Sequence, residues 1–462
     1  MREFTWRTAF SLAFAFISPI VGLYSIFGLG LAAAGPAFWF GFPIVLAGQL
    51  LVALVFGLLV SRFPYEGCVY QWSKHLIGPR YAWFAGWTYA WALPIAMAAV
   101  ALAGAHFLAE LFGLDPSSTP ITITLALLLL ACATWGNTRG RFILNAVVGL
   151  CILAEVVGSV GVGIFLLLFH RVNPLSVLHS THFFPAVGSW DSFFNSPAAL
   201  AVAIAGWAFL GFESAGSVAE EVRAPEKTLP KAMVLSLLCV AGVISFAALS
   251  LILALPHLDK AVAGAIADPV ADTLAEYFGH VGLKVMLALF MVGFIACILG
   301  MQASVSRVIW AFARDDELPG AGWLKRLAGE DQLPVNAILL TGAMALSMFL
   351  FSFTNVYPIL VAFTTAGFYI AFGFPILAAA WTHLRGRWVP GPFQLGVLTG
   401  PVIYLAAVWI VFETINIAWP RSPAAPWYEN WAVPVMVTIL AILGVILRSF
   451  TRAAPVLSQP GR

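Results

Sequence analysis

Residues 232–255 contain no Asp, Glu, Lys or Arg, and runs of this kind recur along the whole chain. A helix needs roughly 20 apolar residues to cross a hydrocarbon core about 30 Å thick. A transmembrane β-barrel is excluded, because its strands read as ten-residue alternation and not as unbroken apolar runs. Hydrophobic residues make up 61% of the chain and charged residues 10%, where soluble domains carry about 25% charge. So few charges cannot coat a globule in water, and most of the outer surface must face lipid. Soluble enzymes, nucleic-acid binders and disordered scaffolds are excluded together. In lipid the backbone must satisfy its own hydrogen bonds, which leaves an all-α membrane protein.

Apolar runs bounded by proline, glycine and charge clusters predict twelve transmembrane helices, near 8–35, 37–61, 81–112, 120–138, 140–169, 196–221, 229–255, 281–313, 335–351, 354–382, 392–418 and 429–450. All but four of the 23 basic residues then fall on one side; Arg171, Lys260, Lys284 and Arg421 fall on the other. Basic residues gather on the cytoplasmic side, so both termini are expected inside a cell membrane crossed many times. The first apolar run continues into a second one, as a mature helix does and a cleaved signal does not. No loop has room for a soluble domain. Glu66–Lys74 and Pro269–Phe278 are expected as short amphipathic helices on opposite faces. Trp83, Trp87 and Trp91 form a stripe for packing and interfacial anchoring. Five dispersed cysteines (Cys68, Cys132, Cys151, Cys239, Cys297) read as small hydrophobes without disulfide or metal spacing.

Two helices are interrupted where lipid would demand continuity. In the first, Ser18-Pro19-Ile20-Val21-Gly22 lies at mid-membrane; in the sixth, Gly206 to Ser214 holds two glycines and Glu213. Proline removes an N–H and clashes with the preceding turn, and glycine tolerates non-helical angles. The breaks stand five helices apart in helices of opposite direction, which points to a midplane substrate site in an inverted-repeat transporter. The bland alternative is a proline kink and a glycine packing notch. A half-helix that begins at a break offers free N–H groups, and one that ends there offers free carbonyls. The amides of Val21, Gly22 and Leu23 are expected to face an anion. The carbonyls of Ser18, Pro19, Trp207, Ala208 and Phe209 are expected to face a cation, with Phe209 and Phe212 as an apolar or cation–π wall. A small zwitterion fits both poles. The candidate substrate-binding set is Ser18, Pro19, Ile20, Val21, Gly22, Trp207, Phe209, Gly211, Phe212 and Glu213.

At these residues the chain resembles the amino acid–polyamine–organocation (APC) permeases, in particular the amino acid/choline/GABA branch. Ser18-Pro19-Ile20-Val21-Gly22-Leu23-Tyr24, Gly48-Gln49-Leu50, Arg62-Phe63-Pro64, Tyr70-Gln71-Trp72 and Gly78-Pro79 carry the likeness in the first half. Gly211-Phe212-Glu213-Ser214-Ala215, Ala219-Glu220-Glu221-Val222, Ser306-Arg307 and Ala313-Arg314-Asp315 carry it in the second. The resemblance implies a single transporter domain over 1–462: a five-plus-five inverted repeat (8–195 and 196–390) followed by two further helices (391–450). It also implies alternating access and transport of amino acids or related amines. Many relatives have a richer glycine run in the first break, which Pro19 and Gly22 replace here.

Three acids fall inside spans and more than two residues from either end: Glu155, Glu213 and Glu413. Intramembrane charge is costly and marks functional candidates. Glu213 begins a half-helix, either as a dipole partner or as an attractor of a substrate amine. Glu155 lies mid-way along the fifth helix, where several proton-coupled relatives place a lysine, and is a candidate for proton coupling; the plain alternative is an acid hydrogen-bonded to a neighbouring helix. Ser304 is a separate candidate for ion coupling. Glu413 is expected to reach the interface. Gln302 is the other polar group near a possible ion position; Thr364 and Thr365 read as packing hydroxyls, with cavity lining as the alternative. Glu220, Glu221, Glu226, Arg223, Lys227 and Lys231 read as a solvated loop, with an inner gate to Arg307 or Arg314 as the alternative. No His-Glu-x-x-His or phosphate loop occurs, and His179 and His182 lie in a loop without acidic partners, so no enzyme is expected. No metal or cofactor is expected beyond a proton or sodium ion for coupling. The partners are a small amine or amino acid and the lipid bilayer; nothing in the sequence specifies an oligomeric state. The reading is a proton-coupled symporter, with an exchanger as the alternative and a non-transporting sensor or a channel behind it.

Overall fold

A computed structural model describes residues 5–179, 183–184, 188–351, 356–421, 423 and 426–450. Eleven helices among them are long and apolar enough to cross a membrane, and Val335–Leu350 is a shorter apolar helix. Where the sequence predicts twelve spans, eleven are of full length, and the predicted ninth is this shorter helix. His182 lies outside the described residues.

Local sequence sets the helix starts. Pro79, Pro197, Pro225 and Pro269 each stand at the first position of their helix, where the missing N–H is needed by no partner. The first span is built in pieces, Trp6–Ile17, Pro19–Tyr24 and Phe27–Ala34, and the second follows as Gly41–Arg62. The fifth runs as Arg141–Glu155, a π-helical turn Val156–Gly161, and Val162–Phe169. The sixth is Pro197–Ala205, a 3₁₀ turn Gly206–Phe209 and a 3₁₀ helix Phe212–Glu221. The eighth begins as a short helix at Pro269 and turns at Gly279, whose φ of 65° is outside the helical range.

The third span, Pro79–Phe112, is the axis of the bundle: 89% of its apolar window is buried, against 11% for the last span. Its alanines let neighbouring backbones approach closely, as small residues do between membrane helices. It packs against the eighth span and against the tenth, Val356–Leu384. The second span packs on the seventh, Pro225–Ala254, and the first touches the sixth, seventh and eighth. Helices five apart, first with sixth, second with seventh and third with eighth, are thus direct neighbours.

Two peripheral expectations change. Cys68–Leu76 forms a helix, but Cys68 to Ser73 are buried, so it tucks under the bundle and does not lie on the membrane face. Trp83 is fully buried and donates from Nε1 to the Glu317 carbonyl at 3.0 Å. Trp87 stacks on it and donates to the Leu440 carbonyl at 2.8 Å. The stripe seals the third span against the last one; Trp83 anchors nothing at an interface.

Candidate functional site

The first break is centred on Ser18, at φ 45° and ψ 103°. A residue before proline is pushed out of the helical region, and Pro19 then restarts the helix. A regular helix would bond the Ile20 N–H to the Phe16 carbonyl and the Val21 N–H to the Ile17 carbonyl. Here the Ile20 N–H donates to Glu155 Oε2 at 2.9 Å and the Val21 N–H to Ser18 Oγ at 3.3 Å. The Phe16 carbonyl accepts the Cys297 thiol at 3.0 Å. The Gly22 N–H returns to the Ser18 carbonyl at 2.7 Å. The expected anion-facing set therefore moves: Gly22 is internally bonded and Ile20 and Val21 carry the released donors. The expected cation-facing Ser18 carbonyl is likewise occupied, and the carbonyls released by the break lie a turn earlier, at Ala15 to Ile17. Gly22 instead permits close approach, since a Cβ there would stand 3.3 Å from the Ala208 carbonyl oxygen of the sixth span.

Glu155 reaches this break from the fifth span. One oxygen accepts the Ser18 hydroxyl and the other accepts Ile20, with Ser159 Oγ also near at 3.4 Å. A negative group at a helix start is the favourable placement for its dipole. The π turn follows Glu155 directly, and Tyr24 donates to the Gly158 carbonyl within it at 2.7 Å. Such turns are rare and gather at functional sites. The Gly-rich run Gly158 to Gly163 was the sequence signal for it. Glu155 and Ser18 both lie against Gly293 of the eighth span. Ser304 is eleven residues further on, about 16 Å along the helix at 1.5 Å per residue, beside the Tyr89 hydroxyl. Glu155 and Ser304 thus belong to different clusters. Gln302 is bonded to Asn137, Thr134 and the Ile338 carbonyl, which makes it a tie between helices.

The second break falls at Leu210–Gly211, with Gly211 at φ 114°. The Phe16 ring lies against Gly211, and a Cβ there would come within 2.1 Å of Cδ1. Glu213 closes this break as Glu155 closes the first: Gly211 N–H donates to Oε2 at 3.1 Å and the Tyr89 hydroxyl to Oε1 at 2.8 Å. The dipole-partner reading of Glu213 matches this geometry.

Between the breaks lies a small cavity of 10 Å³, lined by Phe16, Ile17, Val21, Ala96, Trp207, Leu210, Cys297, Met301, Thr364 and Phe368. A space of this size holds about one water, so admitting a larger molecule requires the broken helices to move. Of the sequence-selected binding residues, Val21 and Trp207 line it. Ser18, Pro19, Ile20, Gly22, Gly211 and Glu213 build the breaks around it. Phe209 and Phe212 turn away: Phe209 packs on Phe42, and Phe212 on Phe56 and Phe372, so the aromatic wall is Phe16 and Phe368 instead. Thr365 is a packing hydroxyl bonded to the Val361 carbonyl. Thr364 is not, because its buried Oγ1 has no partner among the described residues and faces this cavity. Apart from Thr364, the lining from the third, eighth and tenth spans gave no sequence signal, being ordinary apolar helix.

At the basic end the loop cluster is ordered. Arg307 Nε and Nη2 donate to Glu221 Oε1 at 3.0 and 2.9 Å, and Arg314 pairs with Glu220 at 3.4 Å. The Glu66 N–H donates to Glu220 Oε1 at 3.2 Å. Burial, opposed by Arg307 and reinforced by Glu221 and Glu220, pushes the Glu66 carboxyl up to about 7. Glu66, Glu220, Glu221 and Arg307 line a cavity of 180 Å³ with Trp310 and Asp331. The ion pairs named by the inner-gate alternative are present; Glu221 is nearly buried in its pair, while Glu220 stays in contact with solvent, as a solvated loop would have it.

A family profile described as amino acid permease matches residues 4–443. An amino-acid permease BAT1 homolog of Oryza sativa subsp. japonica is 26% identical, over 91% of this chain and 85% of that protein. The branched-chain amino acid permease BcaP of Lactococcus lactis subsp. cremoris is 28% identical, over 74% of each chain. The GABA-specific permease of Saccharomyces cerevisiae is 22% identical, over 91% of this chain and 76% of that protein.

Proposed function

We propose a proton-coupled mechanism for this chain, which belongs to the amino acid permease family and is a multi-pass membrane transporter of amino acids. The single observation that carries the mechanism is the Glu155 carboxylate on the Ile20 N–H at 2.9 Å with the Ser18 hydroxyl on its other oxygen. Those are the donors that a substrate carboxylate needs. Two carboxylates cannot share them without strong repulsion, so the substrate displaces Glu155, and Glu155 takes up a proton as it lets go. Substrate and proton therefore bind together, which is symport. The ammonium group sits against the carbonyls released at the end of Trp6–Ile17. The lining supports a neutral amino acid with an apolar side chain, as does a relative named for branched-chain amino acids. The basic end faces the cytoplasm, both termini lie there, and the chain sits in the cell membrane with inverted halves 8–195 and 196–390.

The test is uptake by the purified chain in proteoliposomes, with a panel of amino acids and imposed proton or sodium gradients. Glu155→Gln should retain amino acid counterflow and lose proton-driven accumulation. Accumulation at the wild-type rate in that variant would overturn the mechanism.

A further inference from the structure

Glu413 is fully buried in the eleventh span, Thr399–Ala418, and the expectation that it reaches the interface fails. Its Oε2 accepts from Asn416 Nδ2 at 3.1 Å, while Oε1 has no partner among the described residues. Four more buried polar atoms without partners surround it: Gln49 Oε1 and Nε2, the Tyr369 hydroxyl and Trp409 Nε1. These come from the second, tenth and eleventh spans. The Tyr369 hydroxyl stands near Gln49, Trp409 and Glu413 without hydrogen-bond geometry to any of them. The cluster forms because two glycines leave room for it. A Cβ at Gly48 would fall 2.1 Å from Trp409 Cδ2, so the indole lies flat on the second span. A Cβ at Gly206 would stand 3.2 Å from Glu413 Oε1 and 3.3 Å from Tyr369 Oη.

An unsatisfied buried polar group costs about 1–3 kcal/mol, and folded proteins keep few of them. Five gathered at one point call for a ligand that both donates and accepts. Trp409 Nε1 can only donate, whereas metal cations are held by oxygen acceptors, so the mixed set suits a ligand that also accepts. Water satisfies both kinds of group and typically makes about three hydrogen bonds when buried. Glu413 is the one carboxyl in the cluster. The charged and titratable groups facing it are Tyr369 on the tenth span and Arg421 beyond the eleventh, which donates to Asn416 Oδ1 at 2.7 Å. The second span and Pro197–Phe209 present Gln49 and Gly206, neither of which titrates.

We propose that Gln49, Tyr369, Trp409 and Glu413 form a second proton site, separate from Glu155, in which bound water delivers a proton to Glu413 Oε1 against Gly206 of the sixth span. Hydronium gives its proton to the carboxylate, and the water left behind bridges Tyr369 and Gln49. Gly206 opens the 3₁₀ turn that leads to the second break, so the charge state of Glu413 acts on the start of that turn.

The test is pH-difference infrared spectroscopy of the purified chain in lipid. Glu413→Gln should delete one buried carboxyl C=O band, while Glu413→Asp and Tyr369→Phe should shift that band. Gly206→Ala should shift it too without removing any titratable group. Amino acid counterflow by Glu413→Gln should lose part of its pH dependence, and counterflow with the wild-type pH profile would count against the proposal. A Glu413→Gln spectrum identical to wild type would overturn the proposal. Glu155→Gln should keep the Glu413 band, so failure of the coupling mechanism and failure of this site are read separately.

Discussion

Gly211→Ala tests the second break. Two costs follow from the geometry. At φ 114° a Cβ-bearing residue is strained, by about 1–3 kcal/mol for a sparsely populated conformation. The new methyl also falls 2.1–2.6 Å from Phe16 Cδ1 and Cε1, and overpacking of this kind costs about 1–3 kcal/mol. The sum is about 2–6 kcal/mol, measurable by SDS-titration unfolding of the purified chain in mixed micelles. The two parts separate in a double-mutant cycle. In a Phe16→Ala background the clash is gone, so Gly211→Ala should cost only the backbone share, and the coupling energy should be about 1–3 kcal/mol. Equal cost in both backgrounds would show that Phe16 does not lie on Gly211. A cost near zero in the wild-type background would refute the left-handed turn itself, because a helical Gly211 would accept alanine with a small gain.

Two further outcomes follow from groups at the basic end and in the central cavity. Because burial raises the Glu66 carboxyl from 4.5 to about 7, the folded chain holds that proton more tightly than the unfolded one, and stability falls as pH rises from 4.5 to about 7. Unfolding midpoints of wild type and Glu66→Gln should coincide near the lower pH and separate in favour of the variant above the upper one; a constant gap would reject the assignment. Thr364→Val removes a hydroxyl that has no partner among the described residues, so stability should hold or rise slightly, while half-saturation for uptake should rise about tenfold, as for loss of a hydrogen bond to a charged group. Lower stability with unchanged uptake would return Thr364 to a packing role.

The spans and both interruptions were legible because each leaves a local trace: charge-free runs, Pro19 after Ser18, and glycines beside Glu213. What was not legible depends on which face of a helix meets protein. Glu413 reads as near an interface because sequence distance from a helix end says nothing of the side that lipid touches. Phe209 and Phe212 flank the second break in sequence, yet the 3₁₀ geometry turns their rings toward the second and tenth spans. Ser304 and Glu155 look alike as polar groups at mid-membrane, and only the placement of Gly293 against Ser18 separates them. Cys297 has an apolar sequence environment, so nothing local announces that its thiol meets the Phe16 carbonyl.

That thiol, with Glu155, gives the first span the behaviour of a detent. The two ends of one missing helical bond, the Phe16 carbonyl and the Ile20 amide, are held by side chains from two different neighbours. In a medium without water neither end can be left vacant. Trp6–Ile17 therefore has no smooth swing available. On the proposed mechanism it rests at tilts where each end finds a holder: Cys297 and Glu155, the two poles of a bound amino acid, or water admitted from one side. Alternation between a few notched positions is then a property of the joint itself.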